Sequence, residues 1–392
     1  MFEQFLNKKI SRREFIKKSV IAASGLALGA YGIKNLVQKN PDLGKIFKND
    51  APEKLWEWSK QARYYKKQGD VVQCNLCPNE CTLGLNDRGF CRVRVNKEGK
   101  LHTLVYGNPC AVHVDPIEKK PLFHFLPRTS TYSIATAGCN FRCLNCQNWE
   151  ISQSKPEETR NIELFPAQVV ESAKGNNCRS IAYTYSEPSV FFEYVLDTAK
   201  IAREEGIKNI SITNGYLNEK PLRELCKYMD ASNVDLKGFD RETLRKLTAG
   251  ELDFVLNTLK VMKEEGVWVE ITNLIVPQHT DDMNKIKNMC NWIVKNLGPD
   301  VPLHFSRFHP YYKLSYLSST PVKTLENARK IALDSGIRYV YIGNVPGHKA
   351  QNTYCSNGHL CIERNGFSIT RYNLQNGVCK ECNEFIAGVW EA

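Results

Sequence analysis

The stretch Tyr132-Ser-Ile-Ala-Thr-Ala-Gly-Cys-Asn-Phe-Arg-Cys-Leu-Asn-Cys146 decides how the rest of the chain is interpreted. Its apolar half, Tyr132–Ala137, has the length of a β-strand, and Cys139, Cys143 and Cys146 follow on a loop with C-x3-C-x2-C spacing. Thiolates hold iron–sulfur clusters, normally four for a cubane, so three close ligands leave one iron open. A zinc site that borrows a ligand from elsewhere is the alternative, and the position directly after a strand argues against it.

Strand-length apolar runs alternate with amphipathic helical stretches from residue 130 to 345. The predicted strands are Tyr132–Ala137, Ser180–Tyr185, Asn209–Thr213, Asn233–Leu236, Trp268–Val276, Leu303–Phe308 and Tyr339–Ile342. The helical stretches lie near 166–175, 189–205, 219–229, 251–265, 283–296 and 322–335. This alternation predicts an α/β fold of βαβ units with a parallel sheet, closed into a full or partial (β/α) barrel.

Polar or reactive side chains lie on these strands or directly after them. Besides the three cysteines they are Glu187, Asn214, Asp235, Lys237, Asn273, His309 and Asn344. The carboxyl ends of parallel strands share one rim, where ligands bind in barrels and in doubly wound sheets alike. The pattern therefore predicts one site at this rim. An open iron there could chelate the amino and carboxylate groups of S-adenosylmethionine (SAM) and pass an electron to its sulfonium.

Several further blocks, in this order, resemble one family of proteins. They are Asp115-Pro-Ile-Glu-Lys-Lys-Pro-Leu-Phe-His-Phe-Leu-Pro127, Gly138 through Gln153, Tyr183-Thr-Tyr-Ser-Glu-Pro-Ser189, Ile212-Thr-Asn-Gly215, Asp235-Leu-Lys237, Asn273-Leu-Ile-Val-Pro277, His304-Phe-Ser-Arg-Phe-His-Pro310 and Ile342-Gly-Asn-Val-Pro-Gly347. Across roughly residues 70–392 the chain resembles the radical SAM member of the AmmeMemoRadiSam system, which is related to pyruvate formate-lyase activating enzymes.

The resemblance implies an activating-enzyme-like oxidoreductase with a 4Fe-4S cluster and SAM as cofactors. Glu187 stands in the place of the activases' Gly-Gly-Glu motif, with Tyr185 and Ser186 instead of the two glycines. Asn214 falls in a matching block, and His309 resembles the histidine near the ribose or carboxylate of SAM. Hydrogen abstraction from an unidentified protein or small molecule is expected.

The Asp235-Leu-Lys237 block resembles the pair that contacts SAM in activating enzymes. Such a carboxylate and ammonium suit a zwitterionic ligand. A ferredoxin or flavodoxin is implied as reductant, and Memo-like and AMMECR-type proteins as partners. An Fe–S electron carrier or a metal-binding scaffold of the same system is the alternative function.

Fifteen cysteines include two further sets that flank the predicted barrel. The N-terminal set is Cys74, Cys77, Cys81 and Cys91, whose spacing suits zinc or a second Fe–S cluster. The C-terminal set has Cys379-x2-Cys382 as one half-site and Cys355 in the other. Gly358 stands where the family has a second cysteine, so either His359 or Cys361 would supply the fourth ligand. The remaining Cys110, Cys178, Cys226 and Cys290 are predicted to be inert buried thiols.

Composition limits the other classes of function. The formal net charge is +11, but residues 1–70 carry 15 Lys and Arg against 7 Asp and Glu, which accounts for +8 of it. The rest of the chain has no basic stripe with interleaved aromatic residues, so nucleic-acid binding is not expected. With 42% hydrophobic residues, the chain has enough apolar side chains for a packed core.

The N-terminal arm resembles a twin-arginine export signal. Arg12 and Arg13 precede an uncharged run from Ser19 to Ile33, which is shorter than the 20 or so apolar residues of a membrane span. This predicts export or membrane anchoring, whereas dependence on SAM predicts a cytoplasmic location. The predicted domains are 1–35 signal or anchor, 36–70 linker with a short helix, 71–128 Cys-rich segment, 129–348 barrel and 349–392 zinc-ribbon-like segment.

Overall fold

The computed structural model describes residues 47–48 and 53–391, so the export-like arm predicted for 1–35 lies outside the described residues. Within the described part, no helix is both long enough and apolar enough to cross a membrane. A 3-10 helix, Glu53–Trp58, opens the N-terminal region. Its strands are β1 (Phe47–Lys48), β2 (Lys60–Gln61), β3 (Tyr65–Gln68), β4 (Val71–Cys74), β5 (Thr82–Leu83), β6 (Asp87–Arg88), β7 (Arg94–Lys97) and β8 (Lys100–Thr103).

These short strands form two antiparallel sheets, in the orders β1-β6-β7-β8-β2 and β3-β4-β5. The region predicted as a linker thus carries the expected short helix but also contributes strands β1, β2 and β3. Tyr65 pairs with Cys74, and Lys60 pairs with Thr103. The polar, Lys-rich composition concealed strands such as β3, whose side chains are largely exposed.

The central sheet has eight strands, and seven of them run parallel. Its strands are β9 (Ala111–Pro116), β10 (Ser130–Ala135), β11 (Ser180–Tyr183), β12 (Lys208–Thr213), β13 (Ala231–Asp235), β14 (Trp268–Ile275), β15 (Leu303–Arg307) and β16 (Val340–Gly343). They are hydrogen-bonded in sequential order from β9 to β16. Only β9 is antiparallel, against β10. Because β9 and β16 remain at the two edges, the predicted barrel is partial.

Eight α-helices accompany the sheet. They are α1 (Trp149–Ser152), α2 (Pro166–Gly175), α3 (Phe192–Glu204), α4 (Glu219–Cys226), α5 (Arg241–Thr248), α6 (Leu252–Glu264), α7 (Met283–Leu297) and α8 (Val322–Asp334). The seven predicted strands are present with ends shifted by at most two residues, and the predicted α/β fold is confirmed. Strand β9 and helices α1 and α5 were not predicted. Asp240 caps α5 by accepting a hydrogen bond from Thr243 N at 2.7 Å.

Apolar side chains fill the barrel and the layer beneath its helices. Ile134, Ile181, Val234, Ile271 and Phe305 are all fully buried in one continuous cluster. Strands covered on both faces need such β-branched and aromatic side chains throughout, which explains why β11 is buried along its whole length.

A buried polar network lies at the amino ends of β14 and β15, opposite the predicted site. Glu270 accepts hydrogen bonds from Phe123 N (3.0 Å), His124 N (2.8 Å) and His304 Nε2 (2.7 Å). His124 in turn lies 2.6 Å from Ala387 O through Nδ1 and accepts from the Tyr341 hydroxyl through Nε2. Burial lowers the pKa of His124 to about 4, so its ring is neutral at physiological pH.

The C-terminal segment packs on this end of β16. Its strands are β17 (Thr353–Tyr354), β18 (Leu360–Asn365), β19 (Ser368–Tyr372), β20 (Leu374–Gln375) and β21 (Val378–Cys379). Tyr339 and Tyr341 share a hydrophobic cluster with Ile362, Leu374 and Ile386. The His124–Ala387 contact therefore connects the C-terminal segment to the amino-terminal end of the barrel strands.

Candidate active site

The cysteine loop leaves β10 through Gly138, whose φ of +92° favours glycine. A Cβ there would lie 2.4 Å from the carbonyl oxygen of Cys91, so the close approach of the two segments also requires glycine. The loop is held by main-chain hydrogen bonds from Arg142 N to Thr248 O (2.7 Å) and from Leu144 N to Leu247 O (2.9 Å). The end of helix α5, which was not predicted, therefore holds the loop that carries the three cysteines.

Asn140, inside this loop, connects it to two neighbouring strand ends. Its Nδ2 donates to Tyr216 O (2.7 Å) and to Ser189 Oγ (3.2 Å). Its Oδ1 accepts from Asn214 Nδ2 at 2.8 Å, and the same Asn214 amide lies 3.9 Å from Cys139 Sγ. The loop after β10 is therefore positioned by the loops after β11 and β12.

A cleft of about 420 Å³ opens at the carboxyl ends of the strands. Seven of the predicted site residues line it together: Cys139, Cys143, Cys146, Glu187, Asn214, Asp235 and Lys237. Asn344 lines it as well, and exposed Phe367 reaches it from the turn between β18 and β19.

Glu187 is almost wholly buried and accepts three hydrogen bonds. The donors are Thr213 Oγ1 (2.7 Å), Asn214 N (2.8 Å) and Ser189 N (3.0 Å). Burial raises the pKa of Glu187, although the three donors act in the opposite direction. The carboxylate therefore organises the ends of β11 and β12 in addition to facing the cleft.

Asp235 and Lys237, which line the same cleft as Glu187, form an ion pair. Lys237 Nζ lies 2.8 Å from Asp235 Oδ2, and both side chains are half-buried. Burial alone would lower the pKa of Lys237, but the charges of Asp235 and Cys143 raise it overall. The lysine is therefore a fixed cation beside the cysteine loop.

His309 takes a different position from the other predicted residues. It is exposed and does not belong to the cleft lining described above. Its Nδ1 lies 3.2 Å from Ser319 Oγ, and its Nε2 lies 3.5 Å from the carbonyl oxygen of Asn344. The histidine thus stands next to a residue of the cleft without lining it.

Four residues of the cleft region were missed by the sequence interpretation. Tyr185 adopts the left-handed region at φ +62°, where the family has a glycine, and its hydroxyl donates to Asp115. Asp115 also binds Lys119 (2.8 Å) and Lys120 (2.7 Å). Burial lowers the pKa of Lys120 to about 8. The Asp115-Pro-Ile-Glu-Lys-Lys block was the available signal. The antiparallel pairing of β9 with β10 places Asp115 opposite Thr131, near the amino end of β10, and the Lys119 and Lys120 side chains that follow line the cleft.

The residues present fit an Fe–S cluster with a polar ligand beside it. Burial raises the pKa of Cys143 to about 12, so binding of iron would displace its proton. Phe141 N donates to Cys139 Sγ at 3.3 Å, as main-chain amides do around cluster thiolates. Three buried polar atoms of cleft residues, Asn145 Oδ1, Ser186 Oγ and Thr272 Oγ1, have no hydrogen-bond partner in the described structure. They are available to a ligand.

The C-terminal set converges on one point. The ligand atoms of Cys355, His359, Cys379 and Cys382 all lie within 4.8 Å of one another. Cys355 Sγ is 3.3 Å from His359 Nδ1 and 3.7 Å from Cys382 Sγ. Hydrogen bonds, the first from Asn357, lower the pKa of Cys382 to about 6, which favours the thiolate that metals bind.

Of the two candidates for the fourth ligand, the structure brings in His359 and leaves Cys361 outside the group. Cys361 is the second residue of β18, and its buried side chain points inward, beside Cys379, into the hydrophobic cluster that also includes Cys355. Strand pairing fixes that inward direction, which spacing alone did not reveal. Asn383 adopts φ +59°, the left-handed turn expected where a zinc knuckle has glycine.

The N-terminal set also comes together, but in a different manner. Cys74, Cys77, Cys81 and Cys91 line one cavity, together with Asn140 of the cysteine loop. Of the four isolated cysteines, Cys178, Cys226 and Cys290 are buried as expected, whereas Cys110 is half-buried.

Comparisons with known proteins identify the superfamily. The sequence profile of the Radical SAM superfamily matches residues 133–293. The uncharacterized protein MJ0808 of Methanocaldococcus jannaschii is 47% identical over 331 residues, which cover 83% of this chain and 98% of that protein. The pyruvate formate-lyase-activating enzyme of Clostridium pasteurianum is 26% identical over 190 residues, 45% of this chain and 77% of that enzyme.

Among solved structures, Streptococcus suis SuiB bound to S-adenosylmethionine aligns with a TM-score of 0.44 and 15% identity, over 58% of this chain and 53% of that one. The superfamily as a whole uses a 4Fe-4S cluster and SAM. With its parallel α/β sheet, its Cys-rich C-terminal site and activating enzymes among its homologues, the chain belongs to the radical SAM superfamily and is an enzyme.

Proposed function

We propose that the protein cleaves SAM reductively and uses the resulting radical to abstract hydrogen from a protein or small-molecule substrate. Cys139, Cys143 and Cys146 would hold the 4Fe-4S cluster, with the fourth iron open to the cleft. One observation carries the proposal: the three cysteines share this cleft with the carboxylates and the ammonium group of Glu187, Asp235 and Lys237. When bound, the reduced cluster supplies the electron that releases methionine and the 5′-deoxyadenosyl radical.

The chain's own residues would bind and orient the cofactor. A zwitterionic methionine end needs an anion for its ammonium group and a cation for its carboxylate. Glu187 and Asp235 offer the anions, and Lys237 offers the cation. Asn214 would hold the cysteine loop in place through its hydrogen bond to Asn140. His309 would approach the ribose or carboxylate from beside Asn344.

The finer assignment that we propose is the radical SAM member of the AmmeMemoRadiSam system. The ordered blocks from Asp115 to Gly347 support it, with Memo-like and AMMECR-type proteins as partners. Activating enzymes of the superfamily generally need a reductant such as flavodoxin or ferredoxin, which would serve here too. We further propose zinc at the C-terminal set, the domain division given above with strands β2 and β3 joined to the Cys-rich segment, and a twin-arginine-like role for residues 1–35.

The decisive experiment is anaerobic. The protein reconstituted with iron and sulfide is incubated with dithionite and SAM, and 5′-deoxyadenosine is measured. We expect formation with the native chain and with Cys290→Ala, a buried thiol outside every set, and none with Cys143→Ala. Turnover by Cys143→Ala would refute the cluster assignment. A native chain that binds a cluster but forms no deoxyadenosine would instead favour an electron carrier or scaffold.

A further inference from the structure

The four N-terminal cysteines surround a cavity that is separate from the cleft. Cys74, Cys81 and Cys91 are buried, and Cys77 is half-buried. Phe90 N donates to Cys81 Sγ at 3.3 Å. Leu76, Val190 and the buried Arg94, which is paired with Glu193, are among the other lining residues. Four thiols around one cavity suit a metal centre with several thiolate ligands.

The distances between the thiol sulfurs distinguish a site for a single zinc ion from a site for an iron–sulfur cluster. Thiolates that share one zinc lie about 2.3 Å from the ion and hence about 3.8 Å from one another. The four ligand atoms of the C-terminal set lie close enough together to share one such ion. Within residues 53–391 no other set of three or more His, Cys, Asp or Glu ligand atoms fits inside the same 4.8 Å limit. The N-terminal thiols are therefore spread more widely than the ligand atoms of the C-terminal set.

Cys139, Cys143 and Cys146 also exceed that limit. In a cubane each thiolate binds a different iron, so the sulfurs stand farther apart than around zinc. The N-terminal set thus resembles the cysteine loop in its spread and differs from the C-terminal set. It also has four cysteines, enough to close every iron of a cubane.

The cavity lies directly against the cysteine loop. The main chain of Cys91 touches Gly138, and Asn79 Nδ2 donates to Asn140 O at 3.0 Å. Arg142 donates to Cys139 O at 3.0 Å while its guanidinium covers the ring of Phe90 at 3.6 Å. This arginine stands between the two groups of thiols, where its charge offsets theirs.

We propose that Cys74, Cys77, Cys81 and Cys91 bind a second 4Fe-4S cluster, closed by four thiolates and packed against the loop of the first. With no open iron, this cluster would not bind SAM. The proposal does not rest on the function proposed above, because it concerns a separate set of ligands.

The test removes the loop ligands and leaves the N-terminal set intact. The variant Cys139→Ala/Cys143→Ala/Cys146→Ala is reconstituted anaerobically, and iron, sulfide and zinc are counted per chain. We expect about four iron, about four sulfide and about one zinc. After reduction it should give an electron paramagnetic resonance signal that added SAM does not change. Iron near zero with about two zinc would overturn the proposal.

A reciprocal variant locates the iron. Adding Cys77→Ser to the triple variant should remove the remaining cluster, whereas adding Cys110→Ala should not. Cys110 is the matched control, because it is half-buried like Cys77 and lies outside all three sets. Iron that survives Cys77→Ser with an unchanged spectrum would assign the cluster to other ligands. The metal counts decide this whether or not the native chain cleaves SAM.

Discussion

Asn214 Nδ2 donates to Asn140 Oδ1 at 2.8 Å, so the end of β12 holds the cysteine loop that follows β10. Both side chains are buried, and Asn214 Oδ1 also accepts from Tyr216 N at 2.9 Å. A buried amide with both ends bonded fixes the separation of the two loops. This pair therefore helps to set the distance between the cysteine loop and the cleft residues that follow β12.

Replacing the Asn214 donor tests whether its hydrogen bond to Asn140 positions the cysteine loop. Asn214→Asp keeps the acceptor but puts a carboxylate oxygen against Asn140 Oδ1 and near Cys139 Sγ. We expect a loss of about 1–3 kcal/mol in the free energy of unfolding and at least a tenfold slower formation of 5′-deoxyadenosine. Denaturant titration and the SAM cleavage assay measure the two effects. The control is Asn176→Ala, which removes an exposed amide that donates to Ser172 O and should change neither stability nor turnover. Unchanged turnover in Asn214→Asp would show that the hydrogen bond to Asn140 does not position the cysteine loop for catalysis.

Glu187→Gln tests the buried carboxylate. An amide NH2 would face one of its three donors, so the ends of β11 and β12 would lose an acceptor as well as a charge. We expect SAM affinity, measured by anaerobic calorimetry, to fall at least tenfold, about 1.4 kcal/mol. Thr213→Val removes one donor and keeps the charge, so it should weaken binding less. Equal effects of the two variants would show that Glu187 acts through the fold alone.

The C-terminal site gives a prediction about metal content. His359→Ala should lower bound zinc from about one per chain to near zero, and His359→Cys should restore it, because thiolate and imidazole are both zinc ligands. Cys361→Ala should keep its zinc, since that thiol lies outside the converging group. Elemental analysis after dialysis checks all three. Loss of zinc in Cys361→Ala alone would make Cys361 the fourth ligand instead.

The buried His124 predicts a loss of stability in acid. Its pKa is lowered to about 4, so the unfolded chain, with a histidine pKa near 6.5, binds the proton more readily. The contribution of neutral His124 to the free energy of unfolding is complete above pH 6.5 and is lost as the pH falls toward 4. At pH 5 the free energy of unfolding should be about 2 kcal/mol lower for this reason. Glu270, whose pKa is lowered overall by His304 against the effect of burial, loses its contribution only below about pH 4.5.

The measurement is the free energy of unfolding at pH 8 and pH 5 for the native chain and His124→Gln. Metal sites that titrate affect both chains equally, so the difference between them isolates the histidine. The variant should be less stable at pH 8, and the gap should narrow by about 2 kcal/mol at pH 5. A gap that stays constant would show that His124 does not carry the acid sensitivity.

The sequence by itself determined the parallel α/β sheet, the positions of its strands along the chain and the rim on which the cysteine loop, Glu187, Asp235 and Lys237 meet. Hydrophobic periodicity and local spacing carry that information, because each strand and its following loop are contiguous in the chain. The same local spacing found three cysteine sets but did not distinguish their metals.

Only the tertiary structure decided the open edge of the barrel, the arrival of Asp115 and Lys120 beside Tyr185, and the choice of His359 over Cys361. It also placed His309 outside the cleft lining and the N-terminal cysteines against the loop. These facts depend on strand pairing and on the direction in which each side chain points. Contacts between residues far apart in the chain set both, and no local pattern encodes them.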